Sequence, residues 1–505
     1  MLEQNLNVSL VTEKLKTRIF LKKTQKLFLT GWHAVTIKHH FYTINLTALI
    51  KTPEHPNPFS SMEKRTVVSI ASLYGFRMLG LFMVLPVMAI YFDDYSGATP
   101  LLLGLSLGIY GFTQALFQLP LGLLSDKIGR RPVIIFGLLL FVLGSIVAAL
   151  AESALALVIG RALQGMGAIA STLMALVTDF TSEENRTKAM AAIGGTIGLS
   201  FAIAMILGPV ISASSGLSGI FWITALLGVL GIVIFMGAVP VALPIRKNRE
   251  TNTDVGQLKA LLGVSILQRL NLGIFCLHLV LMAAFVVVPT VLIQDMSITP
   301  DSLWWVYLLL LGGGFVAMLP VMIVGEKYQK HKISFVGAIA LMVITMVILS
   351  VYRSLWVTPF MLLIFFSAFN LLEASLPSWL SKVCPVGSRG TAMGIYSSSQ
   401  FLGAFAGGVL GGWALGSMGI NGLFLLLASI LAIWFCFALG MHTPKPLKSL
   451  VLQVPDKGRG EFEKIISSMA GVEDILLVEG EDLAYVKVDP KSVDMANLQP
   501  YFNRK

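Results

Sequence analysis

Long apolar runs separated by short polar connections fill the chain from Thr66 to Met441. Each run has roughly 20 residues, the length at which an α-helix crosses about 30 Å of hydrocarbon with its backbone groups paired. The pattern predicts an all-α membrane protein with twelve transmembrane helices in two bundles of six. The predicted spans are 66–92, 101–124, 132–151, 154–178, 188–213, 219–240, 270–293, 303–325, 333–352, 356–381, 390–416 and 420–441.

The charges of the connections alternate along the chain. The even-numbered connections are basic, whereas the odd-numbered ones are mostly acidic and include one clear basic residue, Arg353. Because basic loops stay on the cytoplasmic side, the pattern places the even connections and both termini there. The basic residues are Lys127, Arg130, Arg131, Arg186, Lys188, Arg246, Lys247, Arg249, Lys259, Lys327, Lys330, Lys332, Lys382 and Arg389, and the acidic ones are Asp93, Asp94, Glu152, Asp295 and Asp301.

The polar stretch 241–269 reads as a cytoplasmic linker between bundles at 62–240 and 270–441. The two bundles share short sequence patterns, as expected for a transporter scaffold built from repeats. The matching segments are Leu119-Pro120 with Leu319-Pro320, Asp126-Lys127 with Glu326-Lys327, and Arg186-Thr-Lys-Ala-Met190 with Arg389-Gly-Thr-Ala-Met393.

Two segments lie outside the bundles. Residues 1–61 have no clean periodicity and no signal-peptide pattern, so they are either a start-site artefact or disordered tail before Met62, or a regulatory arm. Residues 449–505 predict a small α+β domain in the order βαββα, which suggests a ferredoxin-like sandwich. Its predicted elements are Leu450–Val454, Gly460–Ala470, Val472–Val478, Leu483–Val488 and Pro490–Phe502.

Composition narrows the functional classes. The chain is 55% hydrophobic and 13% charged, whereas soluble proteins are about a quarter charged, so a lipid bilayer must cover most of its surface. The formal charge of +10 comes largely from basic residues in the connections between spans, so it does not indicate nucleic-acid binding. The three cysteines are scattered, and no phosphate-binding loop or metal-ligand motif occurs, so we expect no enzyme activity, no cofactor and no metal.

The connection between the second and third spans has an unusual spacing of glycines and charges. It reads Gly122-Leu-Leu-Ser-Asp126-Lys-Ile-Gly129-Arg130-Arg131-Pro132. Small residues such as Gly122 allow close helix approach in membranes, and Asp126 can face a helix terminus or pair with a basic residue across the two halves. The equivalent loop of the second half lacks both glycines, which predicts that the first loop does most of the gating.

Two further patterns occur in the fourth and fifth spans. The fourth contains Arg161-Ala-Leu-Gln164-Gly165-Met-Gly167, and the fifth contains Gly208-Pro209. An arginine inside a span costs about 2.5–3.5 kcal/mol or more unless it finds a partner or a water-filled cavity. Arg161 is therefore a candidate cavity cation, with snorkelling to the nearby surface as the alternative.

Other ionisable residues fall within the predicted spans. Glu373 and His278 lie at comparable depth in the second half, and Arg77 lies near the middle of the first span. We predict Glu373 as proton carrier, His278 as tuner or second carrier, and Arg77 as a cavity cation. A structural ion pair for Glu373 and simple packing for His278 are the alternatives. Polar residues that line the cavity or join helices are Gln114, Gln118, Gln164, Asn271, Asn370 and Gln400.

The loop at 122–132 resembles the signature of the major facilitator superfamily. The Arg161 and Gly208-Pro209 patterns are similar to motifs of its drug:proton antiporter group, although Ala204 and Ser212-Ala213 replace glycines of the latter motif. Together with the runs 185–191 and 394–403 and the appended domain, they resemble YajR-type transporters. The resemblance implies a bacterial inner-membrane protein. It also implies a cytoplasmic domain similar to heavy-metal-associated modules, but residues 455–458 contain no cysteine, so we expect no soft-metal site.

These features favour proton-coupled export of a small organic molecule by alternating access, with protons, substrate and bilayer as the partners. The alternative within transport is a proton-coupled symporter of a sugar or another metabolite. An alternative of another class is a membrane sensor or scaffold that signals through the C-terminal domain.

Overall fold

The computed structural model describes residues 59–239, 261–328, 330–385, 388–441, 447–455, 458–477, 483–489 and 492–501. Most of the predicted extension at 1–61 and of the linker at 241–269 lies outside these ranges. We call the helices between residues 61 and 238 the N-half and those between 265 and 439 the C-half.

Helices make up both halves. In the N-half they are α1 (Ser61–Phe82), α2 (Met88–Tyr91), α3 (Pro100–Ile128), α4 (Arg130–Ala149), α5 (Ala154–Met166), α6 (Ala170–Phe180) and α7 (Glu183–Ala238). In the C-half they are α8 (Ser265–Phe285), α9 (Val288–Met296), α10 (Leu303–Lys327), α11 (His331–Val351), α12 (Val357–Val383) and α13 (Arg389–Leu439).

Nine helices within the described ranges are long and apolar enough to cross a membrane. The two longest, α7 and α13, have 56 and 51 residues, and each contains one glycine with non-helical backbone angles. Gly216 has φ 59° and Gly419 has φ 68°, values that favour glycine because it lacks a Cβ atom. Each glycine interrupts its helix, as a connection between two passes through the membrane would.

Large apolar side chains point away from the protein on many helices. Such a surface would aggregate in water but suits the hydrocarbon of a bilayer. Examples with more than half of their side-chain surface exposed are Leu116, Phe136, Val233, Leu309, Ile323 and Ile433.

The two halves meet along the antiparallel helices α3 and α13, and glycines make the contact. A Cβ atom on Gly104 would lie 2.0 Å from the carbonyl oxygen of Gly408, and one on Gly412 would lie 2.3 Å from that of Pro100. Larger residues would therefore separate the backbones. We call this contact the glycine seam; its residues are Gly104, Gly108, Gly111, Gly408 and Gly412.

The seam begins at the end of the molecule that carries Asp93, Asp94, Glu152 and Asp295, which we call the acidic end; the opposite end, with the loop at 126–131, is the basic end. Toward the basic end, α3 and α13 are separated by a cavity of about 180 Å³. The cavity is lined by Gln118, Leu119, Ser171, Leu262, Thr391, Gly394, Ile395 and Ser398.

The C-terminal domain contains a three-stranded antiparallel sheet in the order β1-β3-β2. Its elements are β1 (Lys448–Gln453), α14 (Arg459–Ser467), β2 (Val472–Leu477), β3 (Leu483–Val488) and α15 (Met495–Leu498). Among the described residues the last helix begins at Met495, later than the predicted 490. Pro500, which lacks an N–H group, lies in the 3₁₀ turn (Gln499–Tyr501) that follows it. The strands and α14 enclose a small core around Leu452, Phe462, Ile466 and Val486.

One buried lysine joins this domain to the membrane part. Lys487 of β3 is 8% exposed, and its Nζ donates hydrogen bonds to the carbonyl oxygens of Lys382, at 3.1 Å, and Cys384. Both carbonyls belong to the C-terminal end of α12, where a helix leaves its last carbonyls without partners and attracts positive charge. The sheet therefore lies at the end of the helix that carries Glu373.

Candidate functional site

Three polar side chains of the C-half meet between α8, α12 and α13, and we call them the carboxylate cluster. The amide nitrogen of Gln400 lies 2.8 Å from Nε2 of His278 and donates to Oε1 of Glu373 at 3.3 Å. Nδ1 of His278 lies 3.8 Å from Oε2 of Glu373. The structure thus brings together Glu373 and His278, which the sequence places at comparable depth, and Gln400, one of the predicted polar candidates.

Close backbone packing of α8 and α13 positions this cluster. A Cβ atom on Gly403 would lie 2.2 Å from the carbonyl oxygen of Phe275, and one on Gly407 would lie 2.1 Å from that of Leu279. Gln400 stands about one helical turn before Gly403, and His278 about one turn after Phe275. The glycines therefore bring the amide and the imidazole within hydrogen-bonding distance.

The hydrogen bonds suggest where a proton can reside. A neutral imidazole that accepts from Gln400 at Nε2 carries its hydrogen on Nδ1, the nitrogen that faces Glu373. Within the described part of the chain, neither Nδ1 of His278 nor Oε2 of Glu373 forms a hydrogen bond with another side chain. The two facing atoms can hold or exchange a proton, and the cavity reaches Ser398, two residues before Gln400.

A second group of polar side chains lies in the N-half, and we call it the arginine cluster. Nη2 of Arg77 donates to the hydroxyl of Tyr110 at 3.1 Å and to Oε1 of Gln114 at 3.2 Å. Arg161 lies over the Tyr110 ring, 5.3 Å from its centroid, and donates to Oε1 of Gln164 at 2.8 Å. Both arginines are 1% exposed, so Arg161 does not snorkel to the surface.

Small residues of the Arg161 motif explain this packing. Gly165 contacts α3 so closely that a Cβ atom would lie 2.3 Å from the carbonyl oxygen of Tyr110. Gln164 lies one turn after Arg161 and donates to the hydroxyl of Ser145 at 2.8 Å. Gly167 has φ −70° and ψ 42° and ends α5. The motif thus aims its two polar side chains at α3 and α4.

The remaining polar candidates lie apart from these clusters. Gln118 lines the cavity, and its Oε1 has no partner among the described residues. Asn271 and Asn370 belong to the same helices as His278 and Glu373, but within the described ranges neither forms a side-chain hydrogen bond with the carboxylate cluster. Oδ1 of Asn271 is buried without a partner there.

Within the described ranges, the loop between α3 and α4 contacts other elements of the N-half. Arg130 pairs with Asp126 of the same loop and with Asp179 of α6, the latter at 3.4 Å. Gly129 has φ 98°, a conformation that favours glycine, and it lets α4 begin directly after α3. Arg131 donates to the carbonyl oxygens of Met236 and Val239, and Gly122 faces Ser171 of α6. In this conformation the loop is tied to α6 and to the end of α7.

The Gly208-Pro209 element packs α7 against the end of α1. A Cβ atom on Gly208 would lie 2.3 Å from the carbonyl oxygen of Met83. Pro209 lies inside the helix, where it removes one backbone hydrogen bond. The element therefore lies inside the N-half, between α7 and the end of α1.

Two residues of these contacts, Tyr110 and Asp179, are not among the predicted site residues. Tyr110 lies four residues before Gln114, so it shares a helix face with this predicted polar candidate. Asp179 follows the predicted end of the fourth span by one residue and reads as part of a loop. The role of each residue becomes evident only once the neighbouring helix is known.

The sequence and the fold resemble known transporters. Residues 70–269 and 270–478 match the Major Facilitator Superfamily. The inner membrane transport protein YajR of Escherichia coli (strain K12) is 43% identical over 440 residues, which are 86% of this chain and 97% of that protein. The multidrug resistance protein MdtH of Aeromonas hydrophila is 26% identical over 352 residues, which are 66% of this chain and 84% of MdtH.

A solved structure shares the fold. It is that of a bacterial homolog to the human lysosomal transporter Spinster in an inward-facing and occupied conformation. The TM-score is 0.62 at 13% identity, with 76% of this chain and 97% of that chain covered. Since the family match and the Escherichia coli relative both cover most of the sequence, this chain belongs to the Major Facilitator Superfamily, as a YajR-type membrane transporter rather than an enzyme.

Proposed function

We propose that the protein exports small organic molecules from the cytoplasm in exchange for protons. The observation that carries this proposal is the carboxylate cluster, in which Glu373 and His278 face each other within the membrane part. A membrane-embedded carboxylate next to an imidazole is the usual chemistry of a proton relay. The similarity to the multidrug resistance protein MdtH supports export, and its name suggests that drug-like molecules are among the substrates.

The proposed architecture has twelve spans. The nine apolar helices supply eleven if α7 and α13 each cross twice at their glycine breaks, and α1 adds the twelfth. We place the basic end, the linker and both termini in the cytoplasm of a bacterial inner membrane, following the charge pattern. The order of elements and the β1-β3-β2 sheet support a ferredoxin-like C-terminal domain.

The described conformation fits one state of an alternating-access cycle. The glycine seam closes the acidic end, and the cavity lies toward the basic end. With the basic end in the cytoplasm, this state faces inward, as does the Spinster homolog. Export then requires the halves to part at the seam and close around the loop at 122–132.

The free energy of proton movement is sufficient to export a neutral substrate against its concentration gradient. One proton moving down about 100 mV supplies about 2.3 kcal/mol. That free energy sustains a gradient of roughly fiftyfold.

Transport by the purified protein in liposomes tests the proposal. A panel of candidate compounds is assayed for flux driven by an imposed pH gradient, with Glu373→Gln and, as the control, Glu152→Gln in an exposed connection. We expect proton-driven flux in the wild type and the control and its loss in Glu373→Gln. Unchanged coupling in Glu373→Gln would rule out Glu373 as the carrier, and flux in the same direction as the protons would indicate a symporter.

A further inference from the structure

The arginine cluster has positive charge that no described side chain neutralises. Arg77 and Arg161 are both 1% exposed. No carboxylate of the described residues lies within 4 Å of either group, whereas Arg130 pairs with two aspartates. Arginine keeps its charge in proteins, so two buried cations persist here. Such an arrangement is costly unless an anion completes it.

The unsatisfied atoms of the cluster are hydrogen-bond donors. Nε and Nη1 of Arg77, Nη2 of Arg161 and Nε2 of Gln114 are buried and have no partner among the described residues. The hydroxyl of Tyr110 already accepts from Arg77. A ligand that fits must therefore supply several acceptor atoms together with negative charge. Water supplies the acceptors but leaves the charge unbalanced.

The cluster also lies on a route to the cavity. Tyr110, Gln114 and Gln118 are four residues apart and share one face of α3, and Gln118 lines the cavity. At the cluster, Tyr110 is covered by the other half, because its ring lies 6.5 Å from that of Phe401 in α13. The positive site is thus closed where the two halves meet and opens when α3 and α13 separate.

We propose that Arg77 and Arg161, with Gln114 and Tyr110, bind an oxyanion group, a carboxylate or a phosphate, of the transported molecule. Guanidinium groups bind such groups through paired, charge-assisted hydrogen bonds. The inference rests on the proposed transport function and deepens it by assigning the substrate to the class of small organic anions. Export of a monovalent anion in exchange for one proton moves two elementary charges, and a divalent phosphate moves three, so the exchange depends on the membrane potential.

Binding to the purified full-length protein tests this assignment without transport. The change in thermal unfolding midpoint is measured with benzoate, phenyl phosphate and uncharged benzamide, in chloride buffer. We expect the two anions, or one of them, to raise the midpoint more than benzamide does. The difference between the benzoate and phenyl phosphate responses shows which oxyanion is preferred. Equal responses to anion and amide, including none, would overturn the proposal.

Variants locate the site. Arg77→Gln and Arg161→Gln should weaken binding of the preferred anion by about tenfold or more, the loss typical of a charged hydrogen bond. Arg65→Gln, which removes an exposed arginine that donates to the carbonyl oxygen of Gly237, should bind as the wild type does. Unchanged binding in both folded cluster variants contradicts the proposal. If they do not fold, the comparison of anion and amide in the wild type decides.

One further variant separates this inference from the proposed function. Glu373→Gln leaves the arginine cluster intact, so it should bind the anion normally while its exchange loses proton dependence. Anion binding without proton-coupled flux in the wild type overturns the function but keeps the site. Proton-coupled flux that does not discriminate between anion and amide overturns the site but keeps the function.

Discussion

At the scale of single residues, Gln400 connects the two groups proposed to handle protons. Its amide nitrogen contacts His278 at 2.8 Å and Glu373 at 3.3 Å. Because its two hydrogens point to different acceptors, it fixes both the imidazole tautomer and the carboxylate position. The sequence could name Gln400 only as one of several polar candidates, since nothing in a single sequence shows which side of a helix meets which neighbour.

Replacing Gln400 by leucine should slow proton-driven exchange by roughly tenfold or more, because it removes the hydrogen bonds to His278 and Glu373. Initial rates in liposomes across a range of pH measure the effect, and the pH dependence should change together with the rate. Ser399→Ala is the matched control, because the hydroxyl of Ser399 bonds to its own helix at Ile395. A rate in Gln400→Leu equal to that of the control contradicts the assigned role.

Glu63 illustrates a residue whose role is structural. It precedes the first predicted span, and its carboxylate accepts hydrogen bonds from the backbone N–H groups of Ser182 and Ser60, both at 2.8 Å. The Ser182 bond is the largest cause that lowers the pKa of Glu63 from its usual 4.5. Glu63 therefore ties the start of α1 to the turn before α7.

The Glu63→Gln variant should unfold at a lower temperature than the wild type at neutral pH. Since the folded-state pKa lies below that of the unfolded chain, the carboxylate contributes fully above pH 4.5 and progressively less as the pH falls through the lowered value. The difference in unfolding midpoint should shrink below pH 4.5. A difference that stays constant from neutral to acidic pH shows that ionisation of Glu63 is not its cause.

At the scale of elements, the glycine positions decide how closely helices approach. Apolar runs and loop charges predict the helices from the sequence, because they depend on local composition. The glycines are visible there too, but their partners are not. Gly104 meets Gly408 across about 300 positions, and periodicity carries no information about such a contact. The glycine seam and the arginine cluster therefore needed the structure.

A single added methyl group should open the seam. A Cβ atom on Gly412 would lie 2.3 Å from the carbonyl oxygen of Pro100, whereas one on Gly416, a turn later, would meet the Pro100 side chain at an ordinary 3.5 Å. Gly412→Ala should favour the conformation that is open at the acidic end, and Gly416→Ala should behave as the wild type.

Labelling measures this shift. In a background without Cys276, Cys384 and Cys436, a cysteine introduced as Leu103→Cys, which is buried near the seam, is treated with a membrane-impermeant maleimide. Faster labelling from the acidic end in Gly412→Ala supports the role of the seam. Equal rates in the two alanine variants contradict it.

At the scale of the whole molecule, the C-terminal domain contacts the membrane part through Lys487. Its two carbonyl acceptors end α12, ten residues or so after Glu373. The order of the domain's elements was evident from sequence periodicity. The contact between the domain and α12 could not be predicted, because a lysine in a strand is expected to be solvent-exposed unless a helix end packs against it.

Lys487→Met, which keeps the apolar stem but removes the ammonium, should loosen this contact. We expect faster hydrogen exchange at the end of α12 and within β3, with little change in the other helices. Lys464→Met on the exposed surface of α14 is the control. Identical exchange in the two variants would show that the ammonium group does not hold the domain in place.

The closure at the acidic end has a consequence for the conditions in which the protein works. Among the described residues, Arg353 forms an ion pair with Asp295 at that end, and both residues belong to the C-half. Between the halves, backbone packs against backbone. Close packing between uncharged backbone groups is barely screened by dissolved ions. Closure at the acidic end should therefore depend little on the ionic strength of the solution.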